Sequence, residues 1–443
     1  MLKAKDAKRP GVDSHARPVR MRTSRRLLAI GVVVSIAAAA CSSSSDTTSG
    51  SGANNASAPG VTATSVKVGY LSSLTGALAA GFTTALTGFK ARIAMQNAEG
   101  GVNGRKINVV YGDDQGSPSG NVTAAQTLVE QDSVFAIGAF GAFTFASEPY
   151  LLKQGVPVVG GPIDGPEWSP PDNNMFPVDG SANKAAPAAV EEGKFFKARG
   201  VTKIALVTSP IPSAQEFLKN VAASAKAVGI QVVYENLTIP DTQEGGFQNI
   251  VQQIKADKAN GVMIVLLTEA EFAMLDELEQ AGVHATMQFS NQPPGSTLAT
   301  AQAQAEAQGI WADIPFVPAE LSSPATATMQ AALAKYAKQT TPADENEEYG
   351  WMTADLLIQG LKLAGRNPTR ASFTTKLRAD NDYTAGGLNI SPVSFTASFA
   401  AGAQGAGPAP KDCAYYIQYK GTSWIASKQP ICGGLVPNSN ANG

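Results

Sequence analysis

Histidine is almost absent from this sequence: two occur in 443 residues, His15 and His284. One histidine in the body of the chain leaves little from which to build a zinc site or a Ser-His-Asp relay around His284. General acid–base chemistry would fall to carboxylates. Cysteine is nearly as scarce, at three. Neither Cys413 nor Cys432 has a histidine nearby in sequence, which argues against a catalytic or metal-ligating role. Charge is low, at 16% of residues, and nearly balanced, with a formal net charge of −2. Nothing in that balance suits a nucleic-acid partner. The uncharged run at 27–40 falls short of the about 20 apolar residues that a membrane-spanning helix needs. The glycine-rich stretch AGAQGAGPAPKD (401–412) lacks the strand and the lysine–serine pair that frame a phosphate cradle, and reads as a loop. These absences leave a protein for which no catalytic residue, cofactor or metal is expected.

What is present begins with an address. Arg22, Arg25 and Arg26 precede the apolar run, and small residues close it, which is the pattern of an export signal over 1–40. Met21 opens a signal of ordinary length, so 1–20 reads as an upstream start extension. Ala38, Ala39 and Ala40 directly before Cys41 resemble a bacterial lipobox, with Ala38 where leucine is usual; the resemblance implies that Cys41 becomes a lipidated first residue. The alternative is an ordinary secreted protein cut near Ala40. Ser24-Arg25-Arg26-Leu27-Leu28 resembles a twin-arginine motif, and a general secretion signal stays open beside it. The following SSSSDTTSGSGANNASAPG cannot bury apolar area, so 41–60 reads as a flexible tether. The expected location is the outer face of the bacterial cytoplasmic membrane, held by a lipid anchor. In that oxidising compartment Cys413 and Cys432 form an even pair. They flank two alternating stretches with a turn at Lys420-Gly421-Thr422, so a disulfide closing a C-terminal hairpin is the default.

The body, 61–436, is long enough for two domains. Strand and helix alternate: SVKVGYLSSL, then the helical FTTALTGFKARIAMQNA with apolar positions three and four apart, then INVVYGDD, NVTAAQTLVEQ, VFAIGAF and VPVVGG. The pattern restarts at TKIALVTS and runs through QEFLKNVAASAKAVG, IQVVYENLTI, FQNIVQQIKAD, GVMIVLLT and EFAMLDELEQAG. Two successive runs of this kind predict an α/β protein of two doubly wound parallel-sheet lobes. Ligands of such sheets lie beyond the carboxyl ends of the strands, which places one between the lobes.

At LSSLTGALAAG after the first strand, NAEGGVNGRKI after the first helix, Asp113-Asp114, VFAIGAF, GVPVV and YGWMTADLLIQGLKLAG, the chain resembles the type I periplasmic solute-binding proteins, the branched-chain amino acid receptor group of ABC importers. The resemblance implies two lobes joined by a three-crossover hinge, a small-molecule ligand held by closure, and delivery to a membrane ABC permease. Pattern breaks place the crossovers near 177, 308 and 378. Lobe 1 would then be 61–177 plus 309–378, and lobe 2 would be 178–308 plus 379–436.

The loop Ser72-Ser73-Leu74-Thr75-Gly76 follows a strand's carboxyl end; its amides and hydroxyls either face the cleft or cap the next helix. Gly100, Gly101 and Gly104 read as turn glycines, and Asp113 and Asp114 as strand-end and capping residues. Receptors of the group hold the ligand carboxylate on a serine-rich loop; here that place reads Gly141-Ala142-Phe143-Thr144. Their second lobe supplies aromatics and a glutamate for the ammonium. Here the corresponding loop is SPIPSAQ, around Ser213, and the glutamate's place falls near Gln292. The clamp for a zwitterion is therefore incomplete, and an unpaired buried charge would be costly. Asp164, in GGPIDGPEW, lies where the family's first-lobe loop meets ligand, with a turn role as the alternative. Phe140, Phe143 and Trp168 are candidate aromatic walls or core residues. Thr268 and Glu269 are candidate ligand contacts at the start of a second-lobe helix, with Glu271 after them; the alternative is a helix-start role, where negative charge suits the dipole. The expected function is a solute receptor for an amino acid, an amide or a less polar compound. Rivals are a sensor of the same fold for a signalling partner, and a secreted enzyme using carboxylates such as Asp113 and Asp164.

Overall fold

The computed structural model describes residues 54–76, 78–161, 166–168, 174–180, 188–240, 246–404 and 413–436. The expected signal and Cys41 lie outside them, as do Asp164 and the side chain of Ser213.

The first sheet contains β1 (Ser65–Ser72), β2 (Lys106–Asp113), β3 (Ile137–Ala139), β4 (Val158–Gly160) and β5 (Met175–Pro177). All pairings are parallel, in the order β2-β1-β3-β4-β5. The second sheet contains β6 (Lys203–Thr208), β7 (Gln231–Asn236), β8 (Gly261–Val265), β9 (Thr286–Phe289) and β10 (Trp311–Ile314). It ends in β11 (Cys413–Lys420) and β12 (Ser423–Ala426), both antiparallel, with β13 (Ile431–Cys432) pairing on β11. Its order is β12-β11-β10-β9-β8-β6-β7, so its parallel part repeats the first sheet's arrangement. Each sheet reverses its winding beside its first strand, between β1 and β3 and between β6 and β8. That reversal is the crevice where doubly wound sheets hold ligands. Val68, Ile137, Val159, Ile204, Val262 and Ile264 are buried, as strands covered on both faces require.

The helices are α1 (Ala79–Ala98), α2 (Pro118–Gln126), α3 (Thr144–Lys153), α4 (Glu191–Ala198), α5 (Pro212–Ala227), α6 (Gln248–Ala256), α7 (Thr268–Gln280), α8 (Ala301–Glu306), α9 (Pro324–Ala332), α10 (Glu345–Ala364), α11 (Arg370–Arg378) and α12 (Phe395–Gln404). The longest contact among them is α1 against α10, in the first lobe. Asp344 starts α10 with a reciprocal cap: its Oδ1 accepts from Glu347 N at 2.9 Å, and Glu347 Oε2 accepts from Asp344 N at 3.0 Å.

The chain leaves the first sheet after β5. It returns after Ile314, beyond the expected 308, because β10 pairs with β9 and β11 in the second sheet. Nor does it cross near 378. The break there is a turn within the first lobe, where Tyr383 pairs with Val393 and Phe395 packs on Phe176 with ring centroids 5.7 Å apart. The final passage falls between α12 and β11. α12 runs to Gln404, so the first residues of the expected 401–412 loop are helical.

The C-terminal hairpin turns between β11 and β12 as expected, and Cys413 is disulfide-bonded to Cys432 in register, Cα atoms 4.0 Å apart. The bridge ties strands 19 residues apart in sequence. Replacing both cysteines by alanine is expected to cost about 3 kcal/mol of unfolding free energy by the loop-entropy relation. The measurement is the denaturant midpoint, and the reduced parent should match the variant.

Candidate functional site

The two winding reversals are built alike. At the end of β1, Ser72 Oγ donates to Phe140 O, just past β3, at 2.6 Å. At the end of β6, Thr208 Oγ1 donates to Val265 O, at the end of β8, at 2.8 Å. Each hydroxyl pins the first strand's exit to its neighbour's and is itself buried.

The rest of the first loop is braced rather than free. The parallel register sets Ser72 beside Asp113, which brings the two acidic residues against the serines. Ser73 Oγ donates to Asp114 Oδ1 at 2.6 Å, and Thr75 Oγ1 to Asp113 Oδ2 at 2.5 Å. Asp113 Oδ1 also accepts from the amides of Leu74, Thr75 and Gln115. Burial works against ionisation of Asp113, but these hydrogen bonds outweigh it and hold its carboxyl below the usual range. Asp114 accepts from Gly116 N and Asn121 Nδ2. The hydroxyls of Ser72, Ser73 and Thr75 thus serve the scaffold. Gly76 sits at φ +87°, and a Cβ there would lie 2.6 Å from Gln115 O. Glycine keeps the two loops in contact.

The other expected residues divide. Phe140 is buried, with Phe82 at 5.6 Å and Tyr349 at 5.3 Å between ring centroids. Ala142 and Thr144 are buried at the start of α3. Phe143 is half-buried with its ring 6.3 Å from Phe145. Trp168 is fully buried in the apolar cluster of Leu71, Leu151 and Met175, as core rather than a cleft wall. Thr268 is half-buried and Glu269 exposed in the first turn of α7. Glu271 is the buried member, accepting from Leu266 N at 3.4 Å.

Gln292 lies where the lobes touch. It follows β9, yet its amide donates to Glu345 Oε2 at 2.8 Å and its Oε1 accepts from Glu345 N at 2.9 Å, at the start of α10. Its Nε2 reaches Glu320 Oε1 at 3.1 Å, in the segment crossing back to the first lobe. Around this latch stands a group that sequence reading did not assemble: Glu192, Asp313, Glu320, Glu345 and Glu348. Gln288 Nε2 joins Glu192 Oε2 at 3.0 Å to Asp313 Oδ1 at 3.2 Å. The only local signal was DENEE at the start of α10, which reads equally as negative charge suited to a helix N-terminus. Tyr349 ties this group to the strand-end loops. Its ring packs on Phe140 and on Phe316, at 4.9 Å, and it lies within the charge fields of Glu345, Asp313 and Glu348. A Cβ on Gly161 would meet both the Phe140 and the Tyr349 rings.

Burial pushes the carboxyls of Glu345 and Glu348 well above the ordinary range, and neighbouring negative charges add to the effect. Burial likewise pushes Asp313 up to about 7, while burial and then the Asp344 charge push Glu347 up to about 7. Such groups bind more protons in the fold than in the open chain. Stability is therefore full below the ordinary carboxylate range and falls as pH rises toward the folded values. The ligand-free protein is expected to melt lower at about pH 8 than at about pH 5. Thermal unfolding across that interval checks this, and a melting temperature that rises with pH would contradict it.

A surface groove of about 410 Å³ is lined by Tyr111, Gly112, Asp113, Gln115 and the start of α2. It draws nothing from the second lobe, so it is not the cleft between the two.

Twin doubly wound lobes, linked by three chain passages and meeting beyond their strand ends, define a two-lobed binding protein. The chain belongs to the periplasmic binding protein family, whose model matches residues 65–414. A stretch of 83 residues is 36% identical to a Leu/Ile/Val-binding protein homolog of Brucella abortus; the match spans 22% of that relative's length and 19% of this chain. Solved structures share the fold at low identity. A fatty acid ABC transporter substrate-binding protein from Thermomonospora curvata aligns with a TM-score of 0.69 at 18% identity, covering 86% of this chain and 96% of its own. A branched-chain amino acid transporter substrate-binding protein from Streptococcus pneumoniae, solved with isoleucine, gives 0.66 at 17%, covering 83% and 99%. A solute-binding protein from R. palustris, solved with benzoate, gives 0.65 at 19%, covering 83% and 97%.

Proposed function

We propose that this chain is the extracytoplasmic receptor of an ABC importer, binding a small organic solute between its lobes and handing it to a permease without chemical change. The observation that carries this reading is the pair of matched winding reversals, each pinned by a buried hydroxyl, in a chain of the periplasmic binding protein family. Fold relatives named for fatty acid transport, isoleucine and benzoate support a small organic ligand and leave its class open. On this reading Phe140, Phe143 and Thr144 meet the solute from the first lobe and Thr268 and Glu269 from the second. Gln292 acts at the lobe contact. The anchor is a lipidated Cys41 behind an export signal, so a Cys41→Ser variant should move from the membrane fraction to the soluble one.

The test of receptor function is thermal unfolding of the chain, unfolded and refolded to strip bound solute, against amino acids, amides, and aromatic and aliphatic acids and amines. A solute at 100 times its dissociation constant adds about 2.7 kcal/mol of stability. A saturable shift supports the reading. Turnover of a solute, without a shift, would overturn it.

A further inference from the structure

We propose that the solute carries a positively charged nitrogen, an alkylammonium or guanidinium group, seated among Asp313, Glu320, Glu345 and Glu348 with Tyr349 as one wall. This rests on the receptor reading above and gives its ligand a class.

Glu348 is the central observation. It is 1% exposed; its Oε1 accepts from Ala319 N at 2.8 Å, while its Oε2 has no hydrogen-bond partner among the described residues. Glu320 repeats the pattern, with Oε1 on Gln292 and a buried Oε2 left over. Buried carboxylate oxygens without partners require a proton or a cation. The donors that do reach the group are amides: Gln292, Gln288 and Ala319. Arg199 lies in the charge field of the neighbouring Glu192 but is engaged elsewhere. Its guanidinium lies 3.6 Å from the Phe195 ring centroid and 3.8 Å from that of Trp311, and it donates to Phe195 O.

Geometry favours an organic cation over a metal ion. Among the described residues no three acidic, histidine or cysteine side chains converge closely enough to hold a metal. Asp313 and Glu320 are part-buried as residues, whereas Glu345 and Glu348 are buried. The Tyr349 ring, backed by Phe140 and Phe316, offers the aromatic face on which ammonium and guanidinium groups bind. The carboxylates come from both lobes, Asp313 at the end of β10 and Glu345 and Glu348 on α10. A cation between them would draw the lobes together. A cation pairs with these carboxyls as they ionise, whereas an anion gains no counter-charge from any of the four, and a zwitterion would have to point its own carboxylate away.

Probes with one body and three charges test this: phenethylamine, phenylalanine and hydrocinnamate, with agmatine and isoleucine for the aliphatic case, titrated into the refolded full chain near neutral pH. Phenethylamine or agmatine is expected to bind at least about tenfold tighter than the zwitterion or anion. Glu348→Gln should lose about tenfold for the cation and nothing for a neutral amide. Its ligand-free melting temperature, equal to or above the parent's, would show that the fold is intact. Should that variant not fold, Glu320→Gln supplies the same comparison. Tighter binding of hydrocinnamate, phenylalanine or isoleucine would overturn the cation assignment and leave the receptor standing. Silence from every probe would overturn the cation assignment, and the receptor reading would be decided by the wider panel above.

Discussion

An alanine at position 350 is expected to destabilise the protein by more than about 3 kcal/mol, a large effect for one added methyl group. Gly350 lies on α10 where that helix crosses α1, and a Cβ there would sit 1.7 Å from Ala85 O and 2.6 Å from its carbonyl carbon. The crossing is reciprocal: a Cβ on Gly88 of α1 would sit 1.8 Å from Glu347 O. Backbone touches backbone at two points, and no side-chain rotation relieves either clash. The helices must separate, which loosens Phe89, Trp351, Met352 and Leu356 in the core of the first lobe. Gly81, also on α1, supplies the control, because a Cβ there meets nothing within 4 Å. Gly81→Ala should be neutral or slightly stabilising through helix propensity. Parallel denaturant curves for the two variants make the comparison. Equal effects would mean that the crossing is softer than its geometry implies. Because α10 also carries Glu345, Glu348 and Tyr349, Gly350→Ala should weaken solute binding as well.

What the sequence made legible follows from the range of each interaction. Strand and helix alternation, the lobe count and the Cys413–Cys432 hairpin rest on neighbours in sequence, and the structure carries them. The passages between lobes are less legible. Ile314 ends a strand of the second sheet, and the turn after Arg378 stays in the first lobe, because pairing with distant strands and packing on Phe176 decide both. Within the loop at 72–76 the hydroxyls were visible but their partners were not. Asp113 and Asp114 reach them only through the β1–β2 register. Trp168 shows the same limit: aromatic character suits a cleft wall or a core, and neighbours far along the chain chose the core. Gln292 stands out in the sequence because a glutamate is missing from its place, while the acids around it come from helix starts, a strand end and a crossing segment. Only folding brings Asp313, Glu320, Glu345 and Glu348 together.

Removing Asp355 is expected to cost about 3–5 kcal/mol, for a reason opposite to the glycine case: a charge stays behind without its partner. Arg92 Nε donates to Asp355 Oδ1 at 2.9 Å across the same α1–α10 contact, and the two side chains are 8% and 17% exposed. Arg92 also meets Gln96 Oε1, at 3.3 and 3.4 Å, and lies 5.7 Å from the Trp351 ring centroid. In Asp355→Ala the guanidinium keeps those contacts but loses its counter-charge in a site that water barely reaches. The ion pair itself need not contribute much, since its desolvation offsets its attraction. The double variant Arg92→Met, Asp355→Leu should therefore recover most of the loss, ending within about 1–2 kcal/mol of the parent. A double-mutant cycle on denaturant midpoints separates the two statements. A small effect of Asp355→Ala alone would mean that water reaches Arg92 and that the helix contact rests on its glycines. A double variant as unstable as the single one would mean instead that the pair fixes how α10 lies on α1, and with it where Glu345, Glu348 and Tyr349 stand.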